Sequence, residues 1–138
     1  KARGTDWVQN PHPERGMFSS VRTGVDALHP APRGFFIHPV DIPFVSALTV
    51  RRLAAAFDFG RPVLYPVCGG RRGHPPLIGG SLIPDILEFS GEGGLRALLA
   101  THCTASADVA CDDPGILFDM DTPADYEEGL RRFAAGKP

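Results

Sequence analysis

Apolar positions along this chain change their spacing several times, and each change marks an element. Thr5-Asp6-Trp7-Val8-Gln9 is short and β-favouring and is closed by Asn10-Pro11-His12-Pro13, which predicts a strand ending in a loop. Beyond Gly16, Ser19 or Ser20 can cap a helix that places Val21, Val25 and Leu28 on one face. Gly34-Phe35-Phe36-Ile37-His38-Pro39-Val40 is a continuous apolar run of the kind shown by a strand buried on both faces of a parallel sheet, and it stops at Asp41. Residues 43–57 carry Val45, Leu48, Leu53, Ala56 and Phe57 at helical spacing, with Pro43 suited to a first turn. Residues 61–67 read as another strand.

Later in the chain, Leu82, Ile83, Ile86 and Leu87 suggest one helix, and Leu95, Leu98 and Leu99 a second. Residues 107–111 and 115–118 look like two short strands around the turn Asp112-Asp113-Pro114. Thr122-Pro123 opens a last helix, with Tyr126, Leu130 and Phe133 as its expected buried stripe. Strands alternating with helices over short connections favour a layered α/β fold with right-handed crossovers and a mostly parallel sheet.

A length of 138 residues makes one domain, 1–138, and 43% apolar against 22% charged residues is enough to give it a core. No run approaches the roughly 18 apolar residues of a membrane span. A formal charge of −2 provides no basic footprint for nucleic acid or for an anionic membrane. Cys68, Cys103 and Cys111 form no CxxC pair, a poor basis for a disulfide framework or zinc site, so a reducing, cytoplasmic setting is expected. The basic start has no apolar stretch behind it, as a secretory signal would. Without an initiator Met, the chain is expected to be a processed product or a piece of something longer.

Four places can carry chemistry. Asp41 follows the most apolar strand, and ligands of open α/β sheets collect at the carboxyl ends of strands, so Asp41 either holds a divalent cation on a phosphate or caps the next helix. Asp112, Asp113, Asp119, Asp121 and Asp125 crowd one turn and a helix start, where they repel unless solvent, a cation or donors neutralise them. Asp121 or Thr122 is an N-cap candidate there. Cys68-Gly69-Gly70-Arg71-Arg72-Gly73-His74-Pro75-Pro76 is either an anion-binding loop or a flexible surface loop, and it lacks the Walker spacing. Glu14-Arg15-Gly16-Met17-Phe18-Ser19-Ser20 leads into a helix whose free N–H groups can receive a phosphate, ribose or base edge. No Gly-x-Ser-x-Gly elbow occurs, and no cysteine stands in a nucleophile motif.

Taken in order, Asn10 with Glu14-Arg15-Gly16-Met17-Phe18-Ser19-Ser20-Val21, Val40-Asp41-Ile42-Pro43, Arg72-Gly73-His74-Pro75, Gly94-Leu95-Arg96 and Asp119-Met120-Asp121-Thr122-Pro123-Ala124-Asp125-Tyr126 resemble the MobA-like nucleotidyltransferases, and among them the molybdenum-cofactor cytidylyltransferases. The resemblance implies a Rossmann-like three-layer sandwich. It also implies transfer of CMP or GMP from CTP or GTP to a phosphorylated acceptor, molybdopterin on the nearest branch, with Mg2+ and release of pyrophosphate. On that pattern Asp41 holds the metal, a second acidic ligand falls near Asp112 or at Asp113, Gly16, Ser19 and Ser20 lie by the nucleoside, and Gly73, His74 and Pro75 line the acceptor pocket. Asp121 and Thr122 then fix the last turn and helix.

The family's first two strands and Gly-rich triphosphate loop have no counterpart here, so the fold is expected to be truncated at the N-terminus, the C-terminal two-thirds of the family domain. Exposed edges would then favour a homo-oligomer. The alternative reading is a non-catalytic binding or assembly module that keeps the fold without the triphosphate loop.

Overall fold

Residues 6–58 and 60–136 are described in a computed structural model of the chain. Helix α1 (Met17–Asp26) starts directly after Gly16 and buries Phe18 and Val25, seven residues apart on one face. Strand β1 covers only Gly34–Phe36, shorter than the predicted 34–40, because Pro39 has no N–H to give a ladder and biases the residue before it. Helix α2 (Ala47–Ala56) begins later than Pro43, where the Ser46 side chain accepts from the Thr49 N–H and supplies the cap. There follow β2 (Val63–Cys68), β3 (Arg71–Arg72), β4 (Leu77–Gly79), α3 (Ile83–Glu88), α4 (Gly94–Thr101), β5 (Ser106–Ala110) and α5 (Pro123–Ala134).

The sheet is mixed, a correction to the mostly parallel one expected. β2 lies parallel to β5 along one edge, and its other edge is shared by β4 and β3, both antiparallel to it; β1 pairs antiparallel with β4. Connection length explains the difference. β1 to β2 passes through α2, and β2 to β5 through α3 and α4, long enough to cross over and return in parallel, whereas β2 reaches β3 through the two-residue turn Gly69-Gly70 and β4 follows four residues later. Both turn glycines have positive φ, 56° and 76°, as a tight hairpin requires. The segment expected to be an anion loop or a flexible loop is therefore largely a hairpin, and the Arg72 guanidinium is engaged by Asp108 at 2.6 Å and by the Tyr65 ring at 4.3 Å.

Alternation along the strands separates two cores. Val63 and Ile78 face α1, α3 and α4 through Phe18, Val25, Ile86, Leu98 and Leu99, while Leu64 and Leu77 face α2 through Leu53. Helices on both faces make three layers, as expected, and a fully buried leucine such as Leu53 contributes roughly 2 kcal/mol.

Three other expectations are corrected. Residues 6–9 form no strand, and Thr5 lies outside the described residues. Where a strand was expected at 115–118 the chain makes a 3-10 turn, Pro114–Leu117, because Asp113 accepts from the Gly115 N–H and Pro114 fixes its own φ. On α5, Tyr126, Leu130 and Phe133 are 57%, 52% and 78% exposed. That helix packs instead through Gly129, against Phe44 and Met120. Among the described residues no helix is long and apolar enough to cross a membrane.

Candidate active site

Asp41 sits in a turn closed by the Ile42 N–H donating to the Pro39 carbonyl at 3.3 Å, and buried Ile42 pins that turn to the interior. A second segment is laid beside it: the Met120 N–H donates to the Asp41 carbonyl at 3.0 Å. Asp119 and Asp121 flank Met120 in the sequence. The segment is fixed from behind by α5, whose Thr122 side chain accepts from the Asp125 N–H at 3.2 Å while Asp125 Oδ2 accepts from the Thr122 N–H at 2.9 Å. Phe44 and Phe118 meet edge to face at 5.5 Å, tying the Asp41 turn to the same support.

Three carboxylates converge as a result. One oxygen each of Asp41, Asp119 and Asp121 lies within 4.8 Å of the others. Asp41 Oδ1 is buried and has no hydrogen-bond partner. Asp119, although exposed, has its carboxyl pushed above the usual value by residual desolvation and by the charges of Asp121 and Asp41, with His74 opposing. An all-carboxylate oxygen set fits a hard divalent cation of the magnesium class, and the orphaned Oδ1 is an acceptor such an ion would satisfy.

His74 stands at the rim of this cluster. Its N–H donates to the Ile116 carbonyl at 2.9 Å and the Gly73 N–H to the Pro66 carbonyl at 2.9 Å, which staples the segment between β2 and the 3-10 turn. A Cβ at Gly73 would strike the Ile116 carbonyl, so only glycine allows that approach. Desolvation lowers the His74 pKa and the neighbouring His38 adds to the effect, against the pull of Asp41 and Asp119, so the ring is neutral near pH 7. Pro75 is fully buried behind it.

Asp113 is placed differently. Its side chain is 3% exposed and accepts from the Ser46 N–H at 2.9 Å, the Thr49 hydroxyl at 2.5 Å and the Gly115 N–H at 3.0 Å. Burial alone would raise its pKa, but those donors outweigh it and hold the carboxyl below the usual range. The carboxylates brought to Asp41 are Asp119 and Asp121 rather than Asp113, which is occupied in joining the start of α2 to the 3-10 turn. Asp112 is exposed. Of the two residues expected to fix the last turn, Thr122 caps α5 and Asp121 joins the cluster. Sequence reasoning had Asp119 in an acidic set and, with Met120 and Asp121, in the motif of the family resemblance, but assigned it no ligand role, and it passed over Phe44 and Gly129. The spacing Asp-x-Asp just ahead of a Thr-Pro cap was the available signal.

At the other predicted subsite, Asn10 Nδ2 donates to Ser19 Oγ at 2.8 Å and to Ser20 Oγ at 2.9 Å, and Ser19 Oγ donates back to the Gly16 carbonyl at 2.7 Å. The network borders a cleft of about 370 Å³ lined by Asn10, His12, Arg15, Ser19, Arg22 and Thr23.

The family model of the MobA-like NTP transferase domain matches residues 1–107. The chain belongs to the MobA-like NTP transferase family. Its fold is shared by two solved structures. The homologue of Mycobacterium tuberculosis Rv0371c from Mycobacterium sp. strain JC1 superposes with a TM-score of 0.71 at 22% identity, over 86% of this chain and 59% of that one. Rv0371c from Mycobacterium tuberculosis H37Rv gives 0.67 at 21%, over 83% and 59%. This MobA-like chain thus spans about 59% of the length of either structure. No curated protein matches its sequence.

Proposed function

We propose that this protein is a divalent-cation-dependent nucleotidyltransferase that moves CMP or GMP from CTP or GTP onto a phosphorylated acceptor, with molybdopterin the acceptor favoured by the sequence resemblance. The observation that carries this reading is the convergence of Asp41, Asp119 and Asp121 with one buried, unpartnered carboxylate oxygen, in a chain of this family. Asp41, Asp119 and Asp121 would hold Mg2+. Bound there, the ion would neutralise charge on the phosphates and polarise them.

The chain's own residues account for the remaining requirements. An acceptor phosphate oxygen attacks the α-phosphorus in line, and the bond to pyrophosphate breaks. The attacking oxygen carries no proton, so no general base is needed, in keeping with a site that offers carboxylates and a neutral imidazole. His74, uncharged near pH 7 and held by its backbone N–H, can donate a hydrogen bond to an anionic acceptor without ion-pairing permanently with the carboxylates. Gly73 and Pro75 keep it in position, and Gly16, Ser19 and Ser20 form the nucleoside side. Catalysis of this kind rests on alignment and charge neutralisation.

Pyrophosphate release from CTP and from GTP, with molybdopterin as acceptor, tests the reading alongside Mn2+ binding followed by electron paramagnetic resonance. Asp41→Asn should abolish strong Mn2+ binding and lower turnover about a thousandfold while leaving the far-UV circular dichroism unchanged. Equal turnover or equal Mn2+ affinity in the variant would remove Asp41 from the site.

A further inference from the structure

Away from the carboxylates, the carboxyl ends of β2 and β5 bring two thiols side by side. We propose that Cys68 and Cys111 form a reversible dithiol–disulfide pair, closed by exchange with a low-molecular-weight disulfide. β2 and β5 are parallel and in register from Val63 opposite Ser106 to Val67 opposite Ala110. The next step of that register sets Cys68 opposite Cys111, and the ladder continues to that point, since the Cys111 N–H donates to the Val67 carbonyl at 2.8 Å.

Alternation settles the faces. Leu64 on β2 and Ala107 and Val109 on β5 belong to the core under α2, so Cys68 and Cys111, each an even number of residues onward, lie on that same face. Adjacent strands are about 4.8 Å apart, inside the Cα separation a disulfide bridges, about 4.4–6.8 Å.

Access differs between the two thiols in the way an exchange reaction needs. Both border a cleft of about 440 Å³ lined by Arg52, Cys68, Gly69, Gly70, Cys111 and Asp112. Cys68 is half-buried and reachable from the cleft; Cys111 is buried, its thiol resting on the Val109 carbonyl at 3.4 Å. The Cys68 thiolate attacks the small disulfide and one small thiolate leaves. The Cys111 sulfur then displaces the second small thiolate from Cys68, so two protons and two electrons pass from the protein to the oxidant.

A soft metal is the weaker reading of the pair. Among the described residues, the group of three or more ligand residues close enough to share one ion is Asp41, Asp119 and Asp121, so no third His, Cys, Asp or Glu completes a site with Cys68 and Cys111. The exposed Cys103 precedes the other end of β5 and is separated from Cys111 by the strand's length, about 16 Å, too far to compete.

The folded Cys103→Ser variant, equilibrated with oxidised and reduced glutathione in defined ratios, tests the pair. Cleavage with an Asp-specific protease and mass spectrometry without reductant should recover a peptide joining Cys68 to Cys111, two hydrogens lighter than the separate peptides and lost again with dithiothreitol. Cys111→Ser should stop at glutathione on Cys68, and Cys68→Ser should leave Cys111 unmodified. The pairing is overturned if the folded protein stays reduced, if Cys68 keeps glutathione while Cys111 is intact, or if the bridge forms only in denaturant.

Discussion

Two groups of carboxylates lie within a few residues of each other in sequence and are treated in opposite ways by the fold. Asp113 is buried and receives three donors, two from the start of α2 and one from the turn after it. Asp119 and Asp121, six and eight residues later, receive none of these and crowd against Asp41, whose Oδ1 is buried and unpartnered. The pKa directions follow: at Asp113 the donors outweigh burial and depress the carboxyl, and at Asp119 residual desolvation, then like charges, raise it. A carboxylate whose acceptor sites are filled by the protein stabilises the fold and has little left to offer an ion. A set left unfilled and mutually repelling costs the fold something and is the set that gains when a cation arrives.

Asp113→Ala should give the largest change in stability. It leaves the Ser46 N–H, the Thr49 hydroxyl and the Gly115 N–H without their acceptor, and a loss of about 3 kcal/mol is expected in urea unfolding, with Mn2+ affinity nearly unchanged. A large loss of Mn2+ affinity in a variant still folded would erase the distinction. The same residue predicts acid sensitivity. Its folded pKa lies below the unfolded one, so its stabilisation is complete above the ordinary carboxylate range near pH 4 and is lost as pH falls through the folded value. Wild type should therefore show a steeper loss of stability than Asp113→Ala below about pH 4.

The same contrast explains what was legible in the sequence. Asp41 stood out because it ends an apolar run, and the Thr122-Pro123 start of α5 was readable from cap chemistry alone. The choice between Asp113 and the later pair was not readable, because it depends on Ser46 and Thr49, more than sixty residues earlier, reaching back to Asp113. β4 was missed for a similar reason: three residues between Pro76 and Gly80 carry no period, and only the strands on either side make them part of a sheet. The outward stripe of α5 shows that helical spacing identifies an apolar face but not which side the rest of the chain will cover. The two cysteines could be counted from the sequence, yet their juxtaposition needs the register of β2 on β5.

Asp119→Asn sharpens the comparison from the other side. Removing one of three like charges should weaken Mn2+ binding by about tenfold and slightly raise the stability of the metal-free protein. Calorimetric titration and thermal unfolding in chelator read the two effects separately. Opposite signs for affinity and stability are the signature of a ligand set, whereas a fall in stability with affinity unchanged would make Asp119 another structural acceptor like Asp113.

The smallest effect expected comes from a residue that touches no ion. Gly129 lies where α5 meets the support of the cluster, and a Cβ there would come 2.8 Å from Met120 Sδ and 3.2 Å from the Phe44 ring. Met120 is flexible and can give way, so Gly129→Ala should cost about 1 kcal/mol or less, partly offset by the better helix propensity of alanine. Met120 also carries the N–H that binds the Asp41 carbonyl and stands between the two outer carboxylates, so the displacement is passed to the cluster. Mn2+ affinity should fall about two- to threefold while Asp113→Ala, at a larger cost in stability, leaves it nearly unchanged. A variant that costs less and disturbs the ion more would separate the support of the carboxylate cluster from the general stability of the fold.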